Sequence, residues 1–178
     1  MRALLPPAHK PIAFLSDVHG NLTALDAVLE EVREQDINQV MVAGDLLLGG
    51  QEPLQVWRRL TGIGARCVSG PSDVALISID PSDLRPSTRE EESKAAAFAE
   101  ARAQIGDLVV EQLKRLPERL RFPLIDGGEV VMVHGSPRDA SEGISHEMSD
   151  DEVLYQVDGD PADIVVCGGT HVPFERRI

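Results

Sequence analysis

The sequence has 178 residues and a formal net charge of −13, which fits one domain and argues against general affinity for nucleic acids or anionic membranes. Apolar residues make up 42% and charged residues 26%, as in ordinary globular proteins, whereas the aromatic content of 3% predicts a mainly aliphatic core. There is no Cys-x-x-Cys pair and no apolar run long enough to cross a bilayer. We therefore expect a cytoplasmic protein with Cys67 and Cys167 reduced, no thiolate zinc site and no membrane anchor.

The first part of the chain, after a loose lead-in over residues 1–10, alternates predicted strands and helices. An apolar run predicts a strand at about 11–16, and apolar residues at helical spacing predict a helix at about 21–35. A second apolar run at 39–43 is followed by another helical pattern, and a third strand is predicted at about 65–69. This alternation is typical of a parallel sheet.

The second part differs in character. Residues 88–116 are rich in Ala, Glu and Arg and predict a helical insert, interrupted by one glycine, that carries no readable chemistry. Apolar segments at 122–125 and 129–133 flank an Asp-Gly-Gly sequence, which is a strong hairpin signal. Beyond an exposed loop, a short helix and a last strand are predicted at 149–157 and 163–167.

Five of the predicted strands are followed by a loop that carries aspartate or histidine close to glycine. These residues are Asp17, His19, Asp45, Asp73, His134 and His171. An ordinary turn residue is the simpler explanation for any one of them, but ligands of open α/β sheets bind where such strand-end loops gather. An Asp and His cluster without cysteine suits Mn, Fe, Zn or Ni ions. The sequence therefore predicts a divalent metal site at one sheet edge.

Five short segments together resemble a known family. They are Ser16–Asn21, Gly44-Asp45, Gly70–Asp73, Val133–Pro137 and Gly168–Phe174. In this order they resemble the five motifs of the calcineurin-like metallophosphoesterases, and most closely the compact bacterial phosphodiesterase branch. The resemblance implies an α/β fold, a four-layer α/β/β/α metallophosphoesterase sandwich, in a single domain over residues 11–178.

The resemblance also implies a ligand set. Asp17, His19, Asp45 and His171 would hold the primary metal ion, Asp45 would bridge to a second ion, and His134 would belong to that second site. A metal-activated water would be the nucleophile, and no side chain is assigned as the catalytic acid or base.

Three family positions are substituted in this chain. Pro71 stands where the family has an asparagine ligand of the second ion, and Gly169 stands where it has a histidine ligand. Ser72 replaces a histidine that protonates the leaving group in many members, and serine is a poor proton donor at neutral pH. The second site would keep only Asp45 and His134, so we expect one firmly held ion and a weakened second site.

Two functions from different classes follow. The first is a metal-dependent hydrolase of small phosphomonoesters or phosphodiesters, with manganese as a typical cation; the alternative is a catalytically degenerate member of the same fold acting as a regulatory or ligand-binding module. A third, less favoured reading is a protein without metal, in which the clustered polar residues only terminate strands.

Family members usually continue with a β-hairpin beyond the last motif, whereas this sequence ends at Ile178. An uncovered sheet edge there would favour pairing with a second copy of the chain.

Overall fold

The structure, a computed structural model, describes residues 10–178, so that most of the predicted lead-in lies outside the described residues. The strands are β1 Ile12–Leu15, β2 Gln39–Val42, β3 Arg66–Cys67, β4 Arg119–Pro123, β5 Glu129–Val133 and β6 Ile164–Val166. The helices are α1 Leu22–Glu34, α2 Pro53–Gly62, α3 Pro71–Ser78, α4 Arg89–Leu113 and α5 Asp150–Val157, with a 3₁₀ turn at Pro81–Asp83.

The strands form two sheets of three. The first is parallel in the order β1-β2-β3, and the second has the order β4-β5-β6, with β4 antiparallel and β6 parallel to β5. Met41 of β2 and Ala43, the residue after β2, pack with Phe122 and Met132 of the second sheet. Between them Val42 points the other way, into a core shared with the helices. The predicted mixed α/β fold with two facing sheets is confirmed.

Helix α1 follows the first strand-end loop and fixes its direction. Asn21 precedes the helix, and its side-chain oxygen accepts a hydrogen bond of 3.0 Å from the backbone N–H of Ala24. Leu25 and Leu29, one turn apart, are the buried residues of the helix. The loop carrying Asp17 is therefore held between a paired strand and a capped, anchored helix.

The predicted helical insert is part of the main core. Helix α4 is interrupted at Gly106, whose φ of 68° and ψ of 173° are not helical, as the sequence indicated. The helix buries a row of apolar side chains: Phe98, Ala101, Ile105, Val109, Val110 and Leu113. Trp57 of α2 also donates a hydrogen bond of 2.8 Å from Nε1 to Gln112 Oε1. None of the helices described within residues 10–178 combines the length and the apolar character that a membrane span requires.

The segment after β3 corrects the prediction. The predicted strand at 65–69 pairs over only two residues, and the expected loop at Gly70–Asp73 instead begins helix α3 at Pro71. Proline is favoured at a first helical position because its missing N–H would have no helical partner there. Pro71 is therefore the signal in the sequence that indicates this helix start.

The predicted hairpin is confirmed with a shifted first strand. Strand β4 begins at Arg119, which pairs with Val133, and ends at Pro123. Leu124 is a bridge residue between β4 and the turn, and its N–H donates a hydrogen bond of 2.6 Å to Gly128 O. The prediction placed the strand too late because the apolar run continues into the turn.

Candidate metal centre

Four strand-end loops meet at one edge of the two sheets. The loops after β1 and β2 are joined because the N–H of Asp17 donates 3.1 Å to Gly44 O, and that of His19 donates 3.0 Å to Asp45 O. The loops after β5 and β6 are joined by a 2.8 Å hydrogen bond from the backbone N–H of Gly168 to the carbonyl of the β5 loop's histidine. The two pairs are joined by hydrogen bonds from His134 Nδ1 to Ala43 O at 2.7 Å and from the Gly169 N–H to Asp17 Oδ2 at 2.9 Å. All five predicted ligands therefore lie together.

The first group of candidate ligands consists of Asp17, His19 and His171. Asp17 Oδ1 lies 3.2 Å from His171 Nε2 and 3.6 Å from His19 Nε2. The two Nε2 atoms are 3.2 Å apart. Three ligand atoms thus point toward one small volume, as they would around a single cation.

The second group consists of Asp17, Asp45 and His134, again with ligand atoms within 4.8 Å of one another. Asp45 Oδ2 lies 3.7 Å from His134 Nε2 and 3.9 Å from His19 Nε2, so it stands between a histidine of each group. Asp17 offers a ligand atom to both groups. Two carboxylates, those of Asp17 and Asp45, thus lie between the two groups, whereas the resemblance implied that Asp45 alone would bridge two ions.

Backbone carbonyls orient two of the histidines. His19 Nδ1 donates to Leu48 O and His134 Nδ1 donates to Ala43 O, each at 2.7 Å. Because a carbonyl can only accept, Nδ1 carries the proton in the neutral ring and Nε2 keeps its lone pair. Both Nε2 atoms therefore face the ligand groups in the form that binds a cation.

Asp17 supplies the clearest sign that the groups fit a cation. Burial by itself raises the pKa of Asp17, but hydrogen bonds from the Ser16 side chain and the Gly169 N–H, with His134 and His171 nearby, hold it below its usual value. Its Oδ1 is buried and accepts no hydrogen bond within the part of the chain that the structure describes. A buried, ionised and unpartnered oxygen is costly unless a cation compensates it.

Four of the five predicted ligands have an unusual backbone. The φ angles of Asp17, His19, Asp45 and His171 are 55°, 48°, 54° and 56°. This left-handed region is uncommon for residues with a side chain and costs on the order of 1–3 kcal/mol each. The sequence contained no signal for these angles.

The three substituted positions all lie at this edge. Pro71 is exposed at the start of α3, and a Cβ built on Gly169 would lie 3.3 Å from His134 Nε2. Gly169 donates its N–H to Asp17 Oδ2 at 2.9 Å, and Ser72 donates its N–H to Asp45 Oδ1 at 3.0 Å. Two of the substituted residues therefore hold ligand carboxylates through their backbone.

Asp73 has a role that the sequence analysis missed. It is fully buried, and its two oxygens accept hydrogen bonds of 3.0 Å from the N–H groups of Leu46 and Gly70. Burial raises its pKa to about 6, against the effect of these hydrogen bonds and with a further rise from Asp45. Asp73 belongs to neither ligand group but joins the loops after β2 and β3. An acidic residue three positions after a helix-capping glycine was the available signal.

Two facing sheets with an outer helical layer, and an Asp and His cluster where the strands end, define a metallophosphoesterase domain. The chain belongs to the calcineurin-like phosphoesterase superfamily, because the profile of that domain matches residues 11–178. The resemblance noted in the sequence is confirmed at the level of the family.

Known proteins similar to this chain agree. A metallophosphoesterase from Sphaerobacter thermophilus, known from a crystal structure, shares 28% sequence identity with this chain. The two structures superpose with a TM-score of 0.66, and the match covers 91% of this chain and 61% of that one. A hypothetical protein from Pyrococcus horikoshii shares the fold at 21% identity and a TM-score of 0.65, over 82% of this chain and 63% of that one. An uncharacterized protein of Methanocaldococcus jannaschii is 25% identical over 165 residues, which are 92% of this chain and 63% of the relative. The chain thus spans about three-fifths of the length of these relatives.

Proposed function

We propose that this chain is a metal-dependent phosphoesterase that hydrolyses small phosphomonoesters or phosphodiesters. Asp17, His19, Asp45 and His171 bind the primary cation, and His134 helps to bind a second cation, which is held more weakly. The observation that carries the proposal is the convergence of two ligand groups that share Asp17, in a chain that belongs to this superfamily. The donor set favours divalent ions such as Mn, Fe, Zn or Ni.

The residues of the chain prepare the site for this chemistry. When bound, divalent cations polarise a phosphoryl oxygen and lower the pKa of water. The carbonyls of Leu48 and Ala43 orient two imidazoles, and two backbone N–H groups, those of Gly169 and Ser72, fix one oxygen of each carboxylate. The remaining carboxylate oxygens stay free for the cations, in positions fixed before they bind.

The weakened second site is part of the proposal. Pro71 and Gly169 offer no side-chain donor atoms, so the second group has only Asp17, Asp45 and His134. The net charge of −13 favours a small phosphate ester over a long polyanion, because only the bound cations offset the repulsion of a phosphate.

Hydrolysis of aryl phosphate monoesters and diesters tests the proposal. We expect turnover with added Mn²⁺, and its loss in His19→Ala, which removes a ligand of the first group. His146→Ala is the matched control, since this exposed histidine belongs to neither group. Absence of turnover above the His19→Ala background with every divalent ion tested would contradict the proposal.

A second candidate is a catalytically degenerate module that binds a metal or ligand. It is favoured because Pro71, Ser72 and Gly169 stand at one edge of the site in place of the residues that the family has there. The combined variant Pro71→Asn with Gly169→His separates the candidates. Activity created in the variant but missing from the parent would favour the module. A parent as active as the variant would contradict it.

Two further expectations stay predictions. A cytoplasmic location is one of them. The other is a homo-oligomer formed through an uncovered sheet edge; within residues 10–178, β1, β3, β4 and β6 each have one strand neighbour. Sedimentation of the purified chain over a range of concentrations tests the second.

A further inference from the structure

The chain contains two Asp-Gly sequences, Asp126-Gly127 and Asp158-Gly159, and no Asn-Gly sequence. An aspartate before glycine can rearrange to isoaspartate, because glycine has no Cβ to hinder attack of its backbone nitrogen on the aspartate side chain. Both pairs are exposed to solvent, so exposure does not distinguish them. The hydrogen bonds of the turns in which they lie do distinguish them.

Asp158 and Gly159 form the middle of the turn that follows α5. The backbone N–H of Asp160 donates 3.1 Å to Val157 O and closes the turn. Asp158 has a φ of −55° and a ψ of 133°, and Gly159 has a φ of 76°. These angles fit a type II turn, which favours glycine at its third position. Among residues 10–178, the peptide group between Asp158 and Gly159 has no hydrogen-bond partner for its C=O or its N–H.

The Asp126-Gly127 pair occupies a different place in its turn. The N–H of Gly127 donates 3.2 Å to Leu124 O, so this nitrogen closes the turn instead of lying in its middle. Asp126 Oδ1 also accepts a hydrogen bond of 3.3 Å from the N–H of Gly128. Rotation of this peptide group toward the aspartate side chain breaks the hydrogen bond to Leu124, whereas the same rotation at Asp158 breaks none.

We propose that Asp158 is a site of spontaneous isomerisation to isoaspartate, and that its turn protects Asp126 from the same reaction. The Gly159 nitrogen forms a bond to Cγ of Asp158 and gives up its proton, and one carboxyl oxygen leaves Cγ as water, so that a cyclic imide results. Water then adds to the backbone carbonyl carbon of Asp158, and the bond from that carbon to the Gly159 nitrogen breaks. The chain now continues through Cγ. One water is released and one is consumed, so no oxidant, reductant or other reactant is needed.

The product has one more carbon atom in the backbone of the turn. Asp160, at the end of the turn, is buried and pairs with the largely buried guanidinium of Arg121 in β4. An added carbon between Val157 and Asp160 disrupts the hydrogen bond that closes the turn and moves Asp160 away from Arg121. Because a buried charge that loses its partner is costly, isomerisation should loosen the attachment of this turn to the second sheet.

Incubation of the full chain at neutral pH and body temperature for several weeks tests the inference. Isoaspartate is counted by methylation with an isoaspartyl methyltransferase, and it is located with a protease that cleaves before aspartate but not before isoaspartate. We expect cleavage before Asp158 to be lost with time while cleavage before Asp126 is retained. Isoaspartate should form about fivefold more slowly at Asp126, which is the effect of one additional hydrogen bond on a rate.

Glutamate variants assign the modification to one position. Glutamate keeps the charge, but its longer side chain would have to close a larger ring, which is much slower. Asp158→Glu should therefore remove most of the methylation, whereas the matched control Asp126→Glu should leave it almost unchanged. After incubation the parent should unfold at a lower urea concentration than the incubated Asp158→Glu chain, although fresh samples of the two should unfold alike.

A sample incubated in guanidinium chloride separates the effect of the turn from that of the sequence. In the unfolded chain the two Asp-Gly pairs should react at similar rates, because neither has a turn to hold it. Equal amounts of isoaspartate at Asp126 and Asp158 in the folded chain, or none at either, would overturn the inference. Loss of methylation in Asp126→Glu instead of Asp158→Glu would also overturn it. These readouts do not involve the ligand groups, so they are independent of the proposed function.

Discussion

Replacing Gly70 by alanine tests whether close contact between two loops holds Asp45 in place. A Cβ built on Gly70 would lie 2.6 Å from the backbone nitrogen of Asp45, whereas ordinary contacts begin near 3.4 Å. The φ and ψ of Gly70, −105° and 175°, are extended and suit alanine equally well. Alanine is a poorer N-cap for α3 than glycine, and the collision adds to that loss by pushing the loops after β2 and β3 about 1 Å apart.

The expected magnitudes follow from this displacement. Overpacking of a close-packed contact costs about 1–3 kcal/mol in the free energy of unfolding. Moving Asp45 by about 1 Å from His134 should lower phosphoester turnover about 100-fold. Urea unfolding measures the first quantity, and calorimetric titration with Mn²⁺ together with steady-state hydrolysis measures the second.

Gly62→Ala is the matched control. Gly62 is the last residue of α2, and a Cβ there would meet nothing within 4 Å. Alanine at a compatible position stabilises a protein by about 0.4–1 kcal/mol, so the control should be slightly more stable and equally active. A Gly70→Ala chain that unfolds at the urea concentration of the parent and binds Mn²⁺ equally well would refute the loop contact.

Three further predictions concern the ligands, an ion pair and a thiol. His171→Ala should weaken Mn²⁺ binding at least tenfold in calorimetric titration while changing the free energy of unfolding by less than about 0.5 kcal/mol, because the side chain is largely exposed; His146→Ala should change neither. Asp160→Asn removes a buried carboxylate that pairs with an arginine and should cost about 2–3 kcal/mol in urea unfolding; an unchanged midpoint would contradict this. Burial raises the pKa of Cys67 to about 12, so in a Cys167→Ser chain the thiol should stay protonated and unreactive toward a disulfide reagent at pH 8 until the chain is unfolded, and fast reaction of the folded chain would contradict this.

The ligand positions were predictable because each motif follows a strand directly. An apolar run followed by Asp-x-His or Gly-Asp fixes both the strand and the edge at which its last side chains appear. Parallel pairing of β1 with β2 then brings Asp17 and Asp45 to the same edge, as expected from the strand–helix alternation. The mixed second sheet, which adds His134, was indicated by the hairpin signal before it.

The contacts between loops were beyond prediction because they depend on tertiary distances. The sequence presented Asp73 as one more strand-end aspartate, and only the structure shows that both its oxygens are engaged by Leu46 and Gly70. The need for glycine at position 70 likewise arises from Asp45, which lies 25 residues earlier in the chain. Periodicity and composition describe neighbours within one element, and these residues come from different ones.

The left-handed backbone of the predicted ligands supports the proposal that these residues form one site. Asp36 shows that a positive φ alone is no evidence of function, because its φ of 54° belongs to an ordinary turn after α1. The four strained ligands differ from it in that they lie on three separate loops and their side chains converge. Strained backbone conformations without a function would be expected in unrelated turns. A site that must direct several side chains toward one volume brings such conformations together. Binding of a cation should therefore offset part of this strain, and the stability of the chain should rise with the concentration of Mn²⁺.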